Sequence, residues 1–201
     1  MPRLVLATNN PGKVAELRRL LVGTGYEVVT PSELGVAFEV DETGATYFEN
    51  AAAKARAAAR AAGCLALADD SGIEVDALGG RPGVQSARYG GEGLDDRGRV
   101  ELLLRELEGV PDGKRTARFR AVVVIAAPDG RILQTFEGIA EGSIAREPRG
   151  AGGFGYDPVF TVRGLGKTMA ELTPEEKDAV SHRGQAVRAA AAWLRARLEH
   201  G

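Results

Sequence analysis

Apolar residues along the chain recur with two periods. Arg3 to Thr8 (RLVLAT) is a short apolar run and reads as a buried strand. Asn9-Asn10-Pro11-Gly12 is turn chemistry, after which Val14, Leu17, Leu20 and Leu21 follow at helical spacing. The order is therefore strand, loop, helix. Tyr26 to Thr30 reads as a second strand, and Leu34 to Gly44 as a strand and loop ending in Asp41-Glu42. The alanine-rich stretch Tyr47 to Ala62 predicts a helix by propensity, stopped by Gly63. Leu65 to Ala68 reads as a short strand feeding two adjacent aspartates.

Gly79 to Gly93 is a glycine-rich loop, and Asp95 to Leu107 is helical. Arg118 to Ala127 is a long strand, turned by Pro128-Asp129-Gly130 into Arg131 to Phe136. A further strand is expected near Gly138 to Ala145, a second glycine-rich loop over Glu147 to Asp157, and strand character over Pro158 to Val162. Thr173-Pro174-Glu175-Glu176 is a capping box with proline at the first helical position; the helix it starts breaks near Ser181 to Gly184 before a final stretch to Leu198. There is no internal repeat. The order of elements predicts one α/β domain over residues 1–201, with a sheet of parallel and antiparallel strands flanked by helices.

Composition narrows the function classes. At 201 residues, with 44% hydrophobic and 27% charged positions, the chain is of ordinary globular make-up. A formal charge of −2 speaks against nucleic-acid binding. The single cysteine, Cys64, excludes an intrachain disulfide and a cysteine-cluster metal site, which suits a reducing, cytoplasmic setting. The apolar part of MPRLVLATNN is too short for a signal peptide, and no apolar run approaches the roughly 20 residues of a membrane span.

Two familiar phosphate motifs fail on context. Gly150 to Gly155 satisfies G-x-G-x-x-G, but Tyr156-Asp157-Pro158 follows where a dinucleotide fold needs a helix. Gly166-Lys167-Thr168 resembles the end of a Walker A loop, but the glycine it requires upstream is Thr161. The loop Thr8, Asn9, Asn10, Pro11, Gly12, Lys13 fits either a capped turn or an anion site at a helix N-terminus. Asp41 and Glu42 fit a solvated acidic loop, unless they reach Asp69 and Asp70 in space. In LADDSGIEVDALGG (Leu67 to Gly80), Asp69 and Asp70 close an apolar run. Adjacent carboxylates repel and resist burial, so either one of them turns to solvent or caps a turn, or a divalent cation binds there. Mg²⁺ suits such a pair, because it takes one or two carboxylates and completes its shell with water and phosphate. Lys177, His182 and Arg183 suit either a solvent face or a polyphosphate and purine edge.

Together, TNNPGKVAEL, ETGATYFENAAAKARAAA, LADDSGIEVDALGGRPGVQSARYGG, GGFGYDPVF and AELTPEEKDAVSHRGQA resemble the non-canonical purine NTP pyrophosphatases, the inosine triphosphate pyrophosphatase or Ham1-like family. The resemblance runs from Thr8 to Ala186. It implies an elongated α/β fold with the active site between two lobes, a homodimer, a Mg²⁺ requirement, and hydrolysis of ITP, dITP and XTP to monophosphate and pyrophosphate. By position, Thr8 to Lys13 would hold the triphosphate. Asp70 would accept the proton and bind metal, with Asp41 or Glu42 as second carboxylate, and Ser71 would touch substrate. Phe154, Gly155, Tyr156 and Asp157 would wall the nucleoside, and Lys177, His182 and Arg183 would complete the base and phosphate contacts. Two other readings compete with it. One is a house-cleaning pyrophosphatase for other modified nucleotides; the other is a nucleotide sensor without turnover.

Overall fold

The computed structural model describes residues 1–200. Six strands, β1 (Arg3–Leu6), β2 (Glu27–Val29), β3 (Leu65–Val75), β4 (Thr116–Ala126), β5 (Ile132–Ile144) and β6 (Phe160–Val162), form one sheet in the order β2-β1-β3-β4-β5-β6. The helices are α1 (Pro11–Leu20), α2 (Tyr47–Ala62), α3 (Asp96–Glu106), α4 (Pro174–Val180) and α5 (His182–Glu199). β1 runs parallel to β2 and β3, whereas β5 and β6 are antiparallel. The sheet is therefore mixed, as the order of elements predicts. Among the described residues no helix is long and apolar enough to cross a membrane.

The chain divides into two compact units. The first is Met1–Asp70, Ala121–Gly138 and Arg183–Gly201; the second is Ser71–Arg120 and Ile139–His182. Each has its own apolar core. In the first, Leu4, Leu6, Leu67 and Ile125 of the strands pack with Leu17 of α1 and Leu194 of α5. In the second, Ile73, Phe119 and Phe160 pack with Leu103 of α3 and Met169.

Helix boundaries follow the capping chemistry. Thr46 accepts from the Glu49 amide at the start of α2, and Gly63 ends that helix in the left-handed conformation (φ +64°). Thr173 and Glu176 form the expected reciprocal box on α4, and Ser181 separates α4 from α5.

Several strand expectations need correction. β3 does not stop at Ala68 but continues through both aspartates to Val75. β5 is one strand where two were expected, because Glu137-Gly138 interrupts the apolar pattern without interrupting the ladder. The loop over Gly79 to Gly93 contains a 3₁₀ segment, Gly83–Arg88. Leu34 to Gly44 is not a strand. Ser32–Leu34 is a 3₁₀ turn, and among the described residues no strand pairs with the residues after it, up to Gly44. The alternation there is nonetheless real. Val36, Phe38, Val40 and Glu42 are half-buried, while Ala37, Glu39 and Asp41 are exposed.

Leu67 is fully buried in the first core. Leu67→Ala should cost about 2–5 kcal/mol, read as a lowered urea midpoint.

Candidate active site

The ladder between β1 and β3 ends at Leu6↔Leu67, extended by one bond from the Ala7 amide to the Leu67 carbonyl (2.8 Å). Beyond it β1 turns into α1 while β3 continues, so Asp69 emerges beside the Thr8–Lys13 loop. This is the position at the carboxyl ends of parallel strands where α/β sheets place ligands. The loop is built by its own side chains. Thr8 Oγ1 accepts from the Asn10 amide (3.1 Å), Asn10 Oδ1 caps the Lys13 amide (3.1 Å), and Pro11 occupies the first helical turn.

Successive side chains on a strand point to opposite faces, and this solves the problem of adjacent buried carboxylates. Asp69 faces one set of cations. Lys13 Nζ lies 3.3 Å from its Oδ1, and Arg183 Nε donates to its Oδ2 at 3.0 Å. Arg183 is 2% exposed, and its Nη1 donates to Glu16 Oε2 at 2.7 Å. Burial alone would raise the Asp69 pKa, but the charges of Lys13, Arg183 and Lys54 outweigh it and hold the carboxyl well below the usual range. Burial pushes the Lys13 ammonium down, against the attraction of Asp69.

Asp70 faces α2. Asn50 Nδ2 donates to its Oδ2 at 3.3 Å, and Lys54 Nζ stands 3.8 Å from its Oδ1. The same ammonium lies 2.9 Å from Glu42 Oε1 and donates to the Asp69 carbonyl at 2.8 Å. Burial raises the Asp70 pKa, and the neighbouring Glu42 adds to the rise; Lys54 and Lys13 only partly oppose it. Lys54 itself is penalised by burial, but Asp69, Asp70 and Glu42 outweigh the penalty and hold it protonated above the usual lysine value. The pKa values of two neighbouring aspartates are thus driven apart, Asp69 downwards and Asp70 upwards.

The second unit holds the other group of sequence-derived residues. Asp157 Oδ2 accepts from the Phe154 amide (3.0 Å) and from Lys177 Nζ (2.6 Å). The Lys177 ammonium also sits over the Phe154 ring, 4.8 Å from its centroid. Gly153 has φ +67°, and a Cβ there would stand 2.0 Å from Asp157 Oδ2, so only glycine lets the loop close on this carboxylate. The Gly155 amide donates to Asp96 Oδ2 (2.9 Å), and the Tyr156 hydroxyl donates to the Ser86 carbonyl (2.6 Å). His182 is buried and stacks on Phe119, with centroids 4.6 Å apart and planes 12° apart. As expected, no helix follows the Gly150–Gly155 loop; Asp157–Val159 is a 3₁₀ turn.

Residues 4–193 match the Ham1 family. The chain belongs to the Ham1 family. It is 50% identical over 188 residues to the dITP/XTP pyrophosphatase of Bacillus subtilis, covering 94% of each chain. It is 55% identical over 190 residues to the dITP/XTP pyrophosphatase of Yersinia pestis, covering 94% of this chain and 95% of that one. The solved HAM1 protein of Coxiella burnetii superposes with a TM-score of 0.86 at 43% identity, covering 96% of this chain and 98% of that one.

Within this Ham1 chain the first unit brings together Lys13, Glu42, Asp70 and Arg183. Asp41 is exposed on the opposite side of the alternation from Glu42, which separates two carboxylates that the sequence leaves equivalent. Ser71, next in β3, is half-buried. Arg183 reaches this cluster through Asp69 and Glu16. Lys54, Asn50 and Glu16 are functional neighbours that sequence reasoning missed. For Asn50 and Lys54 a signal existed. Both lie one helical turn apart on the α2 face that buries Tyr47, Ala51, Ala55 and Ala58, where a polar residue needs a reason.

Removing one partner of a buried ion pair strands the other. Arg183→Ala should therefore destabilise the fold by about 3–5 kcal/mol in denaturant titration. The depressed Asp69 pKa adds a pH signature. Its contribution is complete above the ordinary carboxylate value of 3.8 and is lost progressively as pH falls below it. The stability gap between wild type and Asp69→Asn should accordingly be constant near neutrality and shrink below pH 3.8.

Proposed function

We propose that this chain hydrolyses non-canonical purine nucleoside triphosphates, dITP and XTP together with ITP, to the monophosphate and pyrophosphate. The observation that carries the reading is the Asp69-Asp70 pair on opposite faces of one strand, with surroundings that push the two carboxyl pKa values in opposite directions. Near-full-length identity to dITP/XTP pyrophosphatases supports the substrate class.

The first unit suits the phosphate chemistry. Lys13 and Lys54 supply positive charge to the triphosphate and to the pyrophosphate that leaves. Asp69, itself held by Arg183, keeps Lys13 in place. Asp70 takes the proton of the water that attacks the α-phosphorus, a role suited to a carboxylate whose environment favours protonation.

The donor set fits Mg²⁺. Glu42 and Asp70 converge on a single cationic position, now filled by the Lys54 ammonium, and both offer oxygen. One or two carboxylates is the usual protein share of a Mg²⁺ shell completed by phosphate. When bound, the ion would lower the pKa of a coordinated water and offset phosphate charge.

The second unit suits the base. Phe154 offers an aromatic face braced from behind by Asp157 and Lys177, which fixes its backbone before substrate arrives. A hypoxanthine or xanthine carries an oxygen at position 6 where adenine carries an amino group. A site presenting N–H donors to that oxygen would leave them unpaired against adenine, which makes rejection strong.

Asp70→Asn should leave folding intact and lower the rate of dITP hydrolysis by about 10²- to 10⁴-fold. With wild-type enzyme, inorganic phosphate should appear from dITP only when an inorganic pyrophosphatase is added. Phosphate released without it would mean cleavage at another anhydride bond.

A further inference from the structure

Asn50 lies in the first turns of α2, is 2% exposed, and has both ends of its side-chain amide engaged. The Gly44 amide lies 2.8 Å from Oδ1. A backbone N–H can only donate, so this bond fixes which end of the side chain is the oxygen. The NH₂ group is thereby directed to Asp70 Oδ2 at 3.3 Å. Since Oδ2 of Asp70 is taken up by Asn50, Oδ1 is the oxygen turned to Lys54. That lysine sits one helical turn from Asn50 and also holds Glu42.

The contact with Gly44 fixes the other carboxylate. Glu42 is two residues before Gly44, in a segment without secondary structure of its own. Two bonds tie the end of this segment to α2, from the Ala45 amide to Glu49 Oε2 (2.6 Å) and from the Glu49 amide to Thr46 Oγ1 (3.1 Å). Lys54 holds the Glu42 carboxylate itself, and of the ties to the segment's backbone the one from Asn50 to the Gly44 amide lies nearest Glu42. The approach is close, since a Cβ on Gly44 would stand 2.7 Å from Asn50 Oδ1.

We propose that Asn50 is a positioning residue for metal binding: one amide side chain orients Asp70 and tethers the segment carrying Glu42, so that the two carboxylates face a common position. The proposal rests on the reading of Glu42 and Asp70 as the metal-binding pair. Neither a longer nor a charged substitute does the same work. Glutamine would need room for a further methylene in a buried site, and aspartate would set a third carboxylate against Asp70. Hydrogen bonds that orient ligating carboxylates typically contribute 10- to 100-fold to metal affinity.

Two variants approach the contact from opposite sides. Asn50→Leu keeps the branched shape and removes both bonds; Gly44→Ala keeps Asn50 and pushes it, together with the neighbouring Glu49, away. Binding of Mg²⁺ alone to the full chain would be followed by the ¹⁵N–¹H shifts of residues 42–44, alongside turnover of dITP against Mg²⁺ concentration. Both variants should raise the Mg²⁺ dissociation constant about 10- to 100-fold. The double variant should be no worse than the poorer single one, and excess Mg²⁺ should recover most of the turnover. A folded Asn50→Leu or Gly44→Ala protein with the wild-type Mg²⁺ constant overturns the proposal; if Asn50→Leu does not fold, Gly44→Ala decides alone. Glu42→Gln and Asp70→Asn serve as controls. If they weaken Mg²⁺ binding and the Asn50 and Gly44 variants do not, the role of Asn50 alone is refuted. If they also bind Mg²⁺ as wild type does, the reading of the metal pair fails first.

Discussion

Two carboxylates on consecutive residues cannot share one buried environment without one of them losing its charge. This constraint organises the first unit. The β3 pleat sends Asp69 and Asp70 to opposite faces, and each face meets a different demand. On one side, Asp69 is surrounded by Lys13 and Arg183, and Arg183 in turn needs Glu16. On the other, Asp70 has a single amide donor and one ammonium at a longer distance. The same backbone thus carries two carboxylates in different surroundings, and Asp69 lies 114 positions along the chain from the arginine that neutralises it.

Charge buried at this density is costly. Replacing such groups with well-packed apolar residues is often neutral or stabilising, whereas removing one partner is destabilising. A chain selected for stability alone would have little use for Glu16, Asp69, Asp70 and Arg183 inside one unit. Their presence makes sense as a preorganised field, in which cations and dipoles are already aimed where phosphate charge develops. The second unit follows the same logic with Asp157, a buried carboxylate that engages the Phe154 amide and Lys177 and so holds an aromatic loop.

What could be read in the sequence divides along physical lines. Local signals carried well: α2 spans the residues its propensity and caps predict, and the box at Thr173 starts α4. Signals that depend on distant partners did not. The strand that the sequence predicts ends at Ala68 because adjacent charges resemble a strand end, and the cations that make them tolerable lie elsewhere in the chain. Lys54 and Asn50 are hidden among alanines in a helix that propensity alone predicts, although both residues are buried. Asp41 and Glu42 could not be told apart until the alternation from Val36 onwards showed which of them points inwards. The resemblance to the Ham1-like family supplied the substrate class, which no periodicity contains.

The split between the two aspartates can be read from their side-chain carboxyl ¹³C signals, followed through an acid titration of the metal-free protein. Asp70 should take up its proton at a pH above the ordinary value of 3.8, while Asp69 should stay ionised well below that value. If both titrate together near 3.8, or if Asp69 protonates first, the division into a fixed anion and a proton acceptor is wrong.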